Sequence, residues 1–204
     1  RFFDFNKLVM KRIIDIVGAI VGLMITAVVM LFIAPAVKLE SPGPLIFKQK
    51  RVGKNGRYFY IYKVRSMYQD AEARKAELME KNEMKGFMFK MTDDPRITKV
   101  GKFMRRTSLD ELPQLFNILK GDISIVGPRP VMEVETEIYG NYRDMLLSVK
   151  PGLTGFWAAN GRSCTTYTRR RAMEICYIKS RSVCFDLKII LKTITSVFKG
   201  EGAV

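Results

Sequence analysis

The sequence RRTSLDELPQLFNILKGDISIVGPRP, residues 105–130, carries the densest set of functional signals in the chain. It places two adjacent carboxylates, Asp110 and Glu111, directly after a pair of arginines and ahead of a Gly-Pro-Arg-Pro turn at 127–130. Carboxylates that hold a metal ion, beside arginines that hold anions, are the groups that phosphoryl transfer requires. The stretch therefore favours a protein that acts on phosphates.

A structural interpretation of the same residues is a helix start. Ser108 and Glu111 have the spacing of a capping box, and apolar residues follow at helical intervals. Pro113 fits a helix only in its first turn, so we expect a helix that begins near Asp110 and runs to about residue 120. Asp110 would then lie at the positive end of the helix dipole, where metal-bound phosphates are favoured. Capping and catalysis are compatible in this arrangement.

Composition narrows the function classes. The chain has 204 residues, a formal net charge of +15 and no histidine. The charge implies an anionic partner, which can be nucleic acid, anionic lipid or a phosphorylated substrate. Ser-His-Asp and Cys-His catalysis and histidine-ligated zinc are excluded, so proton transfer must use carboxylates, lysine, tyrosine or water. The three cysteines lack C-x-x-C spacing and indicate free thiols in a reducing cytosol.

Residues 16–37 contain no charged side chain and would form about 33 Å of helix, which is enough to cross a bilayer. The stretch is too long for a signal peptide or for the core helix of a domain this size. Basic residues flank both ends, which favours both ends on the cytoplasmic side. Pro35 is expected to bend the helix near its exit. We expect residues 1–40 to form a membrane-inserted element and residues 41–204 one cytoplasmic domain.

Turn signals divide the rest of the chain. Strands are expected at 45–47 and 58–64, joined by the turn GKNG at 53–56. Helices are predicted over the ranges 66–85, 111–120, 131–149, 165–179 and 184–199. The pattern predicts an α+β fold that is mostly helical, with an N-terminal membrane helix, a small β-hairpin and a helical catalytic domain.

The ordered motifs resemble those of the bacterial sugar transferases, also called monotopic phosphoglycosyl transferases. Besides 105–130, the matching pieces are KRIID at 11–15, SPGP at 41–44, KQKR at 48–51, KVRSM at 63–67, DPRIT at 94–98, PGLT at 151–154 and DLKII at 186–190. The chain departs from the family pattern in two places. The mid-helix Ser-Pro break of the family corresponds to Thr26, Ala27 and Val28, and the glutamine that often follows the tryptophan is Ala158.

The resemblance implies a membrane enzyme whose apolar helix is re-entrant and turns back to the side on which it enters. Such an enzyme transfers a sugar-1-phosphate from a UDP-sugar to undecaprenyl (polyprenyl) phosphate and releases UMP. It initiates assembly of exopolysaccharide, capsule, O-antigen or glycoprotein glycans at the cytoplasmic face of the bacterial inner membrane. Membrane lipids and a second copy in a homodimer are further expected partners, and nucleic acid is not.

The resemblance also implies the site. Asp110 would attack the β-phosphate and carry the phosphosugar as an aspartyl phosphate, and Glu111 would share Mg²⁺ (or Mn²⁺) with it or act as a base. The groups expected to bind the substrate phosphates come from several motifs: Lys63, Arg65, Arg105, Pro128, Arg129, Pro130, Gly161 and Arg162. Among these, Arg129 lies between two prolines, and an arginine on a rigid turn is a preorganised fork for phosphate.

A non-enzymatic basic membrane adaptor that binds anionic lipid or nucleic acid is the alternative from another class. It accounts for the charge and the apolar segment equally well, but not for the ordered carboxylate and Pro-Arg-Pro motifs. A multi-span phosphoglycosyl transferase is set aside because the sequence contains a single apolar segment. The sugar stays open among galactose, glucose and an N-acetylated or deoxy sugar.

Overall fold

A computed structural model describes residues 2–82, 91, 93–161 and 166–199. In chain order the elements are α1 (Phe2–Glu40), β1 (Ile46–Val52), β2 (Tyr58–Val64), α2 (Ala71–Glu77), α3 (Lys99–Thr107), α4 (Gln114–Lys120), β3 (Ser124–Val126), α5 (Arg143–Leu147), β4 (Gly152–Thr154), α6 (Tyr167–Ser180) and α7 (Val183–Lys199). Short 3-10 helices lie at Lys54–Gly56, Met79–Lys81, Leu109–Glu111, Val134–Tyr142 and Ala158–Asn160. The predicted α+β, mostly helical class is confirmed.

Helix α1 extends well beyond the predicted apolar stretch and continues through Pro35 as one helix. Within it, Asn6–Glu40 is long and apolar enough to cross a membrane. Large apolar side chains are exposed along its outer face, including Val17, Ile20, Met24, Val28, Leu31 and Phe32. An apolar face of this length indicates that the chain associates with a membrane.

The inner face of α1 packs against the rest of the chain. Ala19 is fully buried in a cluster with Leu115 and Ile118 of α4. Gly22 allows the close approach, because a Cβ there would lie 2.8 Å from Leu115 Cδ1. Further along, Val37 is buried in a second cluster with Met104 of α3. The helix therefore lies along the domain rather than projecting from it.

Polar contacts fix both ends of α1 to that domain. Near its start, the Arg12 guanidinium donates to the carbonyls of Ile118 and Leu119 at 2.7 and 2.8 Å, which satisfies acceptors at the C-terminal end of α4. At its end, the Glu40 carboxylate accepts from the amides of Lys99 and Val100 at 2.6 and 2.9 Å and so caps α3. The two ends of α1 are thus held by elements of one domain.

The predicted hairpin is confirmed, with a first strand that is longer than expected. Strands β1 and β2 pair antiparallel, with Phe47 opposite Lys63 and Arg51 opposite Phe59. In the turn, Asn55 adopts a left-handed conformation with φ 58°, which asparagine tolerates better than most residues. A second pair, the parallel strands β3 and β4, was not predicted because each is only three residues long.

Two helix predictions need correction, and one helix was not predicted. The helix expected over 66–85 begins only at Ala71, the first residue of α2, because Met67 pairs with Ile97 in an isolated β-bridge and is extended. Residues 83–85 lie outside the described part of the chain. The helix expected over 131–149 is a 3-10 helix followed by α5, since Gly140 breaks it with φ 48°. Helix α3 was missed, because it is short and rich in Lys and Arg. Thr98 caps it by accepting from Gly101 N.

Candidate active site

The backbone around Asp110 differs from the predicted helix start. Helix α3 ends at Thr107. Ser108 after it is left-handed with φ 57°, and Asp110 follows in a separate 3-10 turn. Helix α4 begins only at Gln114, after Pro113. The Ser108 side chain makes no cap bond to this turn, so the predicted capping box does not form. Asp110 is therefore positioned by a tight reversal between two helices and not by the N-terminus of one.

Asp110 is a buried carboxylate. It is only 7% exposed. Of the two residues that flank it in the sequence, Leu109 is apolar and Glu111 is charged. Burial raises its pKa to about 6 as the largest effect; Glu111 raises it further, while Lys63 and Arg105 lower it. A buried carboxylate with a raised pKa is typical of a functional site, since a structural carboxylate is usually paired or exposed.

Two cations face this carboxylate. Lys63 of β2 forms an ion pair with Glu111, with its Nζ 2.6 Å from Oε1. Arg105 of α3 is held by a hydrogen bond from its Nε to Ser66 Oγ at 2.9 Å. Burial lowers the pKa of Arg105, and the charge of Asp110 acts in the opposite direction. Lys63, Arg105, Asp110 and Glu111 form what we call the carboxylate cluster, which brings four of the predicted site residues together.

Two residues that support this cluster were not predicted. Ser66 orients Arg105, and Asp94 adds a second negative charge that acts on the same guanidinium. Asp94 is itself bound by Arg96, whose Nε and Nη2 donate to it at 2.9 and 2.7 Å. Both residues belong to motifs that carry the family resemblance, KVRSM and DPRIT, but no local pattern indicates that these two motifs meet in the fold.

The Gly-Pro-Arg-Pro stretch forms a second site. Pro128 and Pro130 are buried, and Arg129 is half-buried. The Arg129 guanidinium lies 5.7 Å from the centre of the Trp157 ring, within the range of a cation–π contact. Its buried Nε has no hydrogen-bond partner among the described residues, as is also the case for Arg51 and Arg65. A guanidinium that stacks on an aromatic ring can still offer its other N–H groups to an anionic ligand.

The hairpin contacts both of these sites. Lys63 of β2 reaches the carboxylate cluster, and Arg51 of β1 donates to Pro130 O at 3.2 Å. Arg51 lies opposite Phe59, which is four residues before Lys63 on β2. One hairpin thus supplies a side chain to each site.

Three predicted binding residues are not brought to either site by a described contact. Arg65 is buried, and its guanidinium donates to the carbonyls of Ser41 and Pro42, so it fixes the turn after α1. Gly161 is exposed, with φ 129°. Arg162 lies outside the described residues.

Comparison with known proteins decides the family. The sequence profile described as bacterial sugar transferase matches residues 6–200. The chain belongs to the bacterial sugar transferase family. This confirms the resemblance inferred from the ordered motifs.

Several relatives of this sugar transferase are known by name. Galactosyl transferase CpsE of Streptococcus agalactiae is 48% identical over 204 residues, which are 100% of this chain and 45% of that protein. The undecaprenyl-phosphate galactose phosphotransferase of Salmonella typhimurium is 41% identical over 198 residues, 95% of this chain and 41% of that protein. The exopolysaccharide production protein ExoY of Sinorhizobium fredii is 38% identical over 197 residues, 95% of this chain and 87% of that protein. The sugar transferase chain thus spans less than half of the first two relatives and most of the third.

The carboxylate cluster of the sugar transferase has ligands that suit a Mg²⁺ ion bound together with substrate phosphates. The described residues contain no group of three or more metal-ligating side chains. Mg²⁺, however, is commonly held by one or two carboxylates together with substrate phosphates and water. Asp110 and Glu111 are adjacent and provide two carboxylates. They suit a Mg²⁺ ion that arrives with a phosphorylated substrate better than a preformed all-protein metal site.

Proposed function

We propose that this chain transfers a sugar-1-phosphate from a UDP-sugar to undecaprenyl phosphate through a covalent intermediate on Asp110. The observation that carries the proposal is the buried Asp110 carboxylate, with its pKa raised to about 6 and with Lys63 and Arg105 acting on its charge. A relative in Salmonella typhimurium is named undecaprenyl-phosphate galactose phosphotransferase, which supports the acceptor and the reaction class.

In the first step, an Oδ atom of Asp110 attacks the β-phosphorus of the UDP-sugar. The bond from that phosphorus to the bridging oxygen breaks, and UMP leaves with the electron pair. In the second step, a phosphate oxygen of undecaprenyl phosphate attacks the same phosphorus, and the Asp110 carboxylate leaves. The product is an undecaprenyl diphosphate sugar. Division into two displacements lets two bulky substrates use one nucleophile in turn.

Charge neutralisation is the main task of the surrounding residues. An anionic carboxylate must approach an anionic diphosphate, so positive groups near the phosphorus lower the barrier. Arg105 is fixed by Ser66 beside Asp110, and Lys63 is held by Glu111 at 2.6 Å. Mg²⁺ at Asp110 and Glu111 would supply further positive charge between the carboxylate and the phosphates. Arg129, which has no carboxylate partner among the described residues and lies over Trp157, is assigned to the donor diphosphate as a further cation.

The membrane helix places this chemistry at the lipid surface. The outer face of α1 is apolar, while its inner face packs against α4 and α3, which border the carboxylate cluster. An acceptor that carries its phosphate on an isoprenoid chain can then reach the cluster from the bilayer. Since nucleotide sugars are cytosolic, the proposal places the domain on the cytoplasmic face of the inner membrane.

The test is release of UMP by the purified chain in detergent. The chain is mixed with undecaprenyl phosphate, Mg²⁺ and a panel of UDP-sugars, and UMP is measured for each. Release with one sugar and not with the others supports the function and names the donor. If no sugar gives UMP, while the protein binds anionic vesicles, the result favours the basic membrane adaptor instead.

A further inference from the structure

The Pro-Arg-Pro turn has a single amide donor. Proline has no backbone N–H, so between Pro128 and Pro130 only Arg129 carries one. That N–H donates to Glu174 Oε1 of α6 at 3.0 Å. The one amide that the turn can offer as a donor is therefore bound by a carboxylate that is 45 residues away in the sequence.

Glu174 is held rigidly in its own place. It is 2% exposed. The Tyr139 hydroxyl donates to its other oxygen, and Arg170, one helical turn earlier on α6, lies 3.6 Å from Oε1. A carboxylate with its two oxygens engaged in this way has little freedom to follow a moving turn. It acts as a fixed point for the amide of Arg129.

The other contacts of the turn are equally well defined. Arg51 donates to Pro130 O at 3.2 Å, and Gly152 N donates to Pro128 O at 2.8 Å. Just beyond the turn, the buried Glu135 accepts from Met132 N at 2.7 Å and forms an ion pair with Arg51 at 3.1 Å. The turn is thus hydrogen-bonded on both sides. Within the turn, Glu174 is the group that binds the backbone of Arg129 itself.

The charges around the turn do not cancel. Three guanidiniums, of Arg51, Arg129 and Arg170, surround two buried carboxylates. Glu135 pairs with Arg51 and Arg170, and Glu174 pairs with Arg170. In the part of the chain that the structure describes, the Arg129 side chain has no carboxylate partner and lies over Trp157. The excess positive charge is therefore presented by Arg129.

We propose that Glu174 is a positioning residue for the donor diphosphate, because its carboxylate fixes the amide of Arg129 and so aims the Arg129 guanidinium. The inference rests on the proposed function, in which Arg129 binds the nucleotide sugar. Glu174 itself does not touch the substrate. Its effect is expected on donor binding and not on the displacement at Asp110.

Two substitutions separate the hydrogen bond from the charge. Glu174→Gln and Glu174→Met both remove the negative charge, but only glutamine keeps an oxygen that can accept from Arg129 N. We expect Glu174→Gln to keep the KM for the UDP-sugar within about twofold of wild type, and Glu174→Met to raise it about tenfold at little change in kcat. Tyr139→Phe is a milder variant, because Glu174 keeps its charge and loses one hydrogen-bond donor. We expect it to raise the KM for the UDP-sugar roughly threefold.

The deciding measurement is the coupling to Arg129. In an Arg129→Ala background, the KM difference between Glu174→Gln and Glu174→Met should vanish, and Tyr139→Phe should have no further effect. A difference that persists at full size in that background would overturn the proposal, because Glu174 would then act on the fold alone. Equal KM values for the two Glu174 variants in the wild-type background would overturn it as well.

Binding of UDP, measured by calorimetry on the same variants, keeps this test independent of turnover. If wild type binds UDP but releases no UMP from any UDP-sugar, the proposed function fails, and the role of Glu174 is still read from the UDP Kd values. Weaker UDP binding by Glu174→Met than by Glu174→Gln supports the positioning role, and identical binding contradicts it. Wild type that does not bind UDP at all contradicts it too.

Discussion

Lys63 Nζ lies 2.6 Å from Glu111 Oε1 and joins strand β2 to the 3-10 turn that carries Asp110. The pair affects Asp110 in opposite directions, since Lys63 lowers the pKa of the Asp110 carboxyl and Glu111 raises it. Both side chains are partly exposed, at 25% and 32%, so a substrate can reach them. Binding of a diphosphate would draw Lys63 toward the phosphates and make Glu111 available to Mg²⁺.

Asp110→Asn is predicted to abolish activity and to stabilise the protein. Asparagine keeps the shape but is a much weaker nucleophile, so UMP release should fall more than about 1,000-fold. The substitution also removes a buried charge whose pKa is raised from 3.8 to about 6. That pKa difference corresponds to an increase of up to roughly 3 kcal/mol in the free energy of unfolding at pH 7, which should raise the melting temperature.

Asp93→Asn is the matched control. Asp93 is also an aspartate close to α3, but its side chain is 83% exposed, and among the described residues its ion pair is with Lys102 at the surface. We expect unchanged UMP release and an unchanged melting temperature for this variant. Near-normal UMP release by Asp110→Asn would show that Asp110 is not the nucleophile.

Activity and stability are predicted to change in opposite directions with pH. The nucleophile must be ionised, so kcat/KM should fall as the pH drops through about 6. The folded-state pKa of Asp110 is raised above its unfolded value, so the stability contributed by its protonated form is full below pH 3.8 and lost as the pH rises through about 6. Kinetic profiles between pH 5 and 8 measure the first trend, and thermal melts between pH 3.8 and about 6 measure the second.

Lys63→Met should move the acid limb of that activity profile to higher pH, because the charge of Lys63 lowers the pKa of Asp110. Lys102→Met is the control, since Lys102 is a 75% exposed lysine paired with Asp93. An acid limb that stays in place in Lys63→Met would mean that the limb does not report Asp110.

Removal of divalent cations is predicted to eliminate turnover. Two adjacent carboxylates bind Mg²⁺ weakly without the substrate phosphates, so exhaustive EDTA treatment should reduce UMP release to background and added Mg²⁺ should restore it. By the same argument, calorimetry should detect much tighter Mg²⁺ binding with UDP present than without it. Full activity after EDTA treatment would contradict the cation requirement.

Both ends of α1 are predicted to lie on the cytoplasmic side. Arg12 near the start contacts α4, and Glu40 at the end caps α3, so a helix spanning the bilayer would have to lose one of these sets of contacts. A single cysteine at Asn6, in a chain without its three native cysteines, is treated in intact cells with a membrane-impermeant maleimide.

Protection of the Asn6 cysteine until the cells are lysed is the expected result. A cysteine at Lys102, which is exposed on α3, serves as the reference for the domain side. The two positions should label alike. Strong labelling of the Asn6 site from outside, with Lys102 protected, would show that α1 spans the membrane.

The sequence was sufficient for features that depend on local periodicity or on motif order. The uninterrupted apolar run at 16–37 predicted α1, because the length of an apolar stretch determines whether it can serve in a bilayer. The turn GKNG and the alternating strand after it predicted the hairpin. The order of the motifs was enough to predict the family. The adjacency of Asp110 and Glu111 was enough to predict them as the candidate carboxylates.

Only the tertiary structure decided how these pieces act on one another. The pKa of Asp110 depends on burial and on Lys63, 47 positions earlier, and no local pattern encodes that approach. Arg65 was expected at the phosphates but holds the turn after α1, since a guanidinium bonds whichever carbonyls the fold places beside it. Glu174 was overlooked for the same reason, because its partner is the backbone amide of Arg129. The packing of α6 against the turn decides where that amide lies, and the residue types next to Arg129 in the sequence do not.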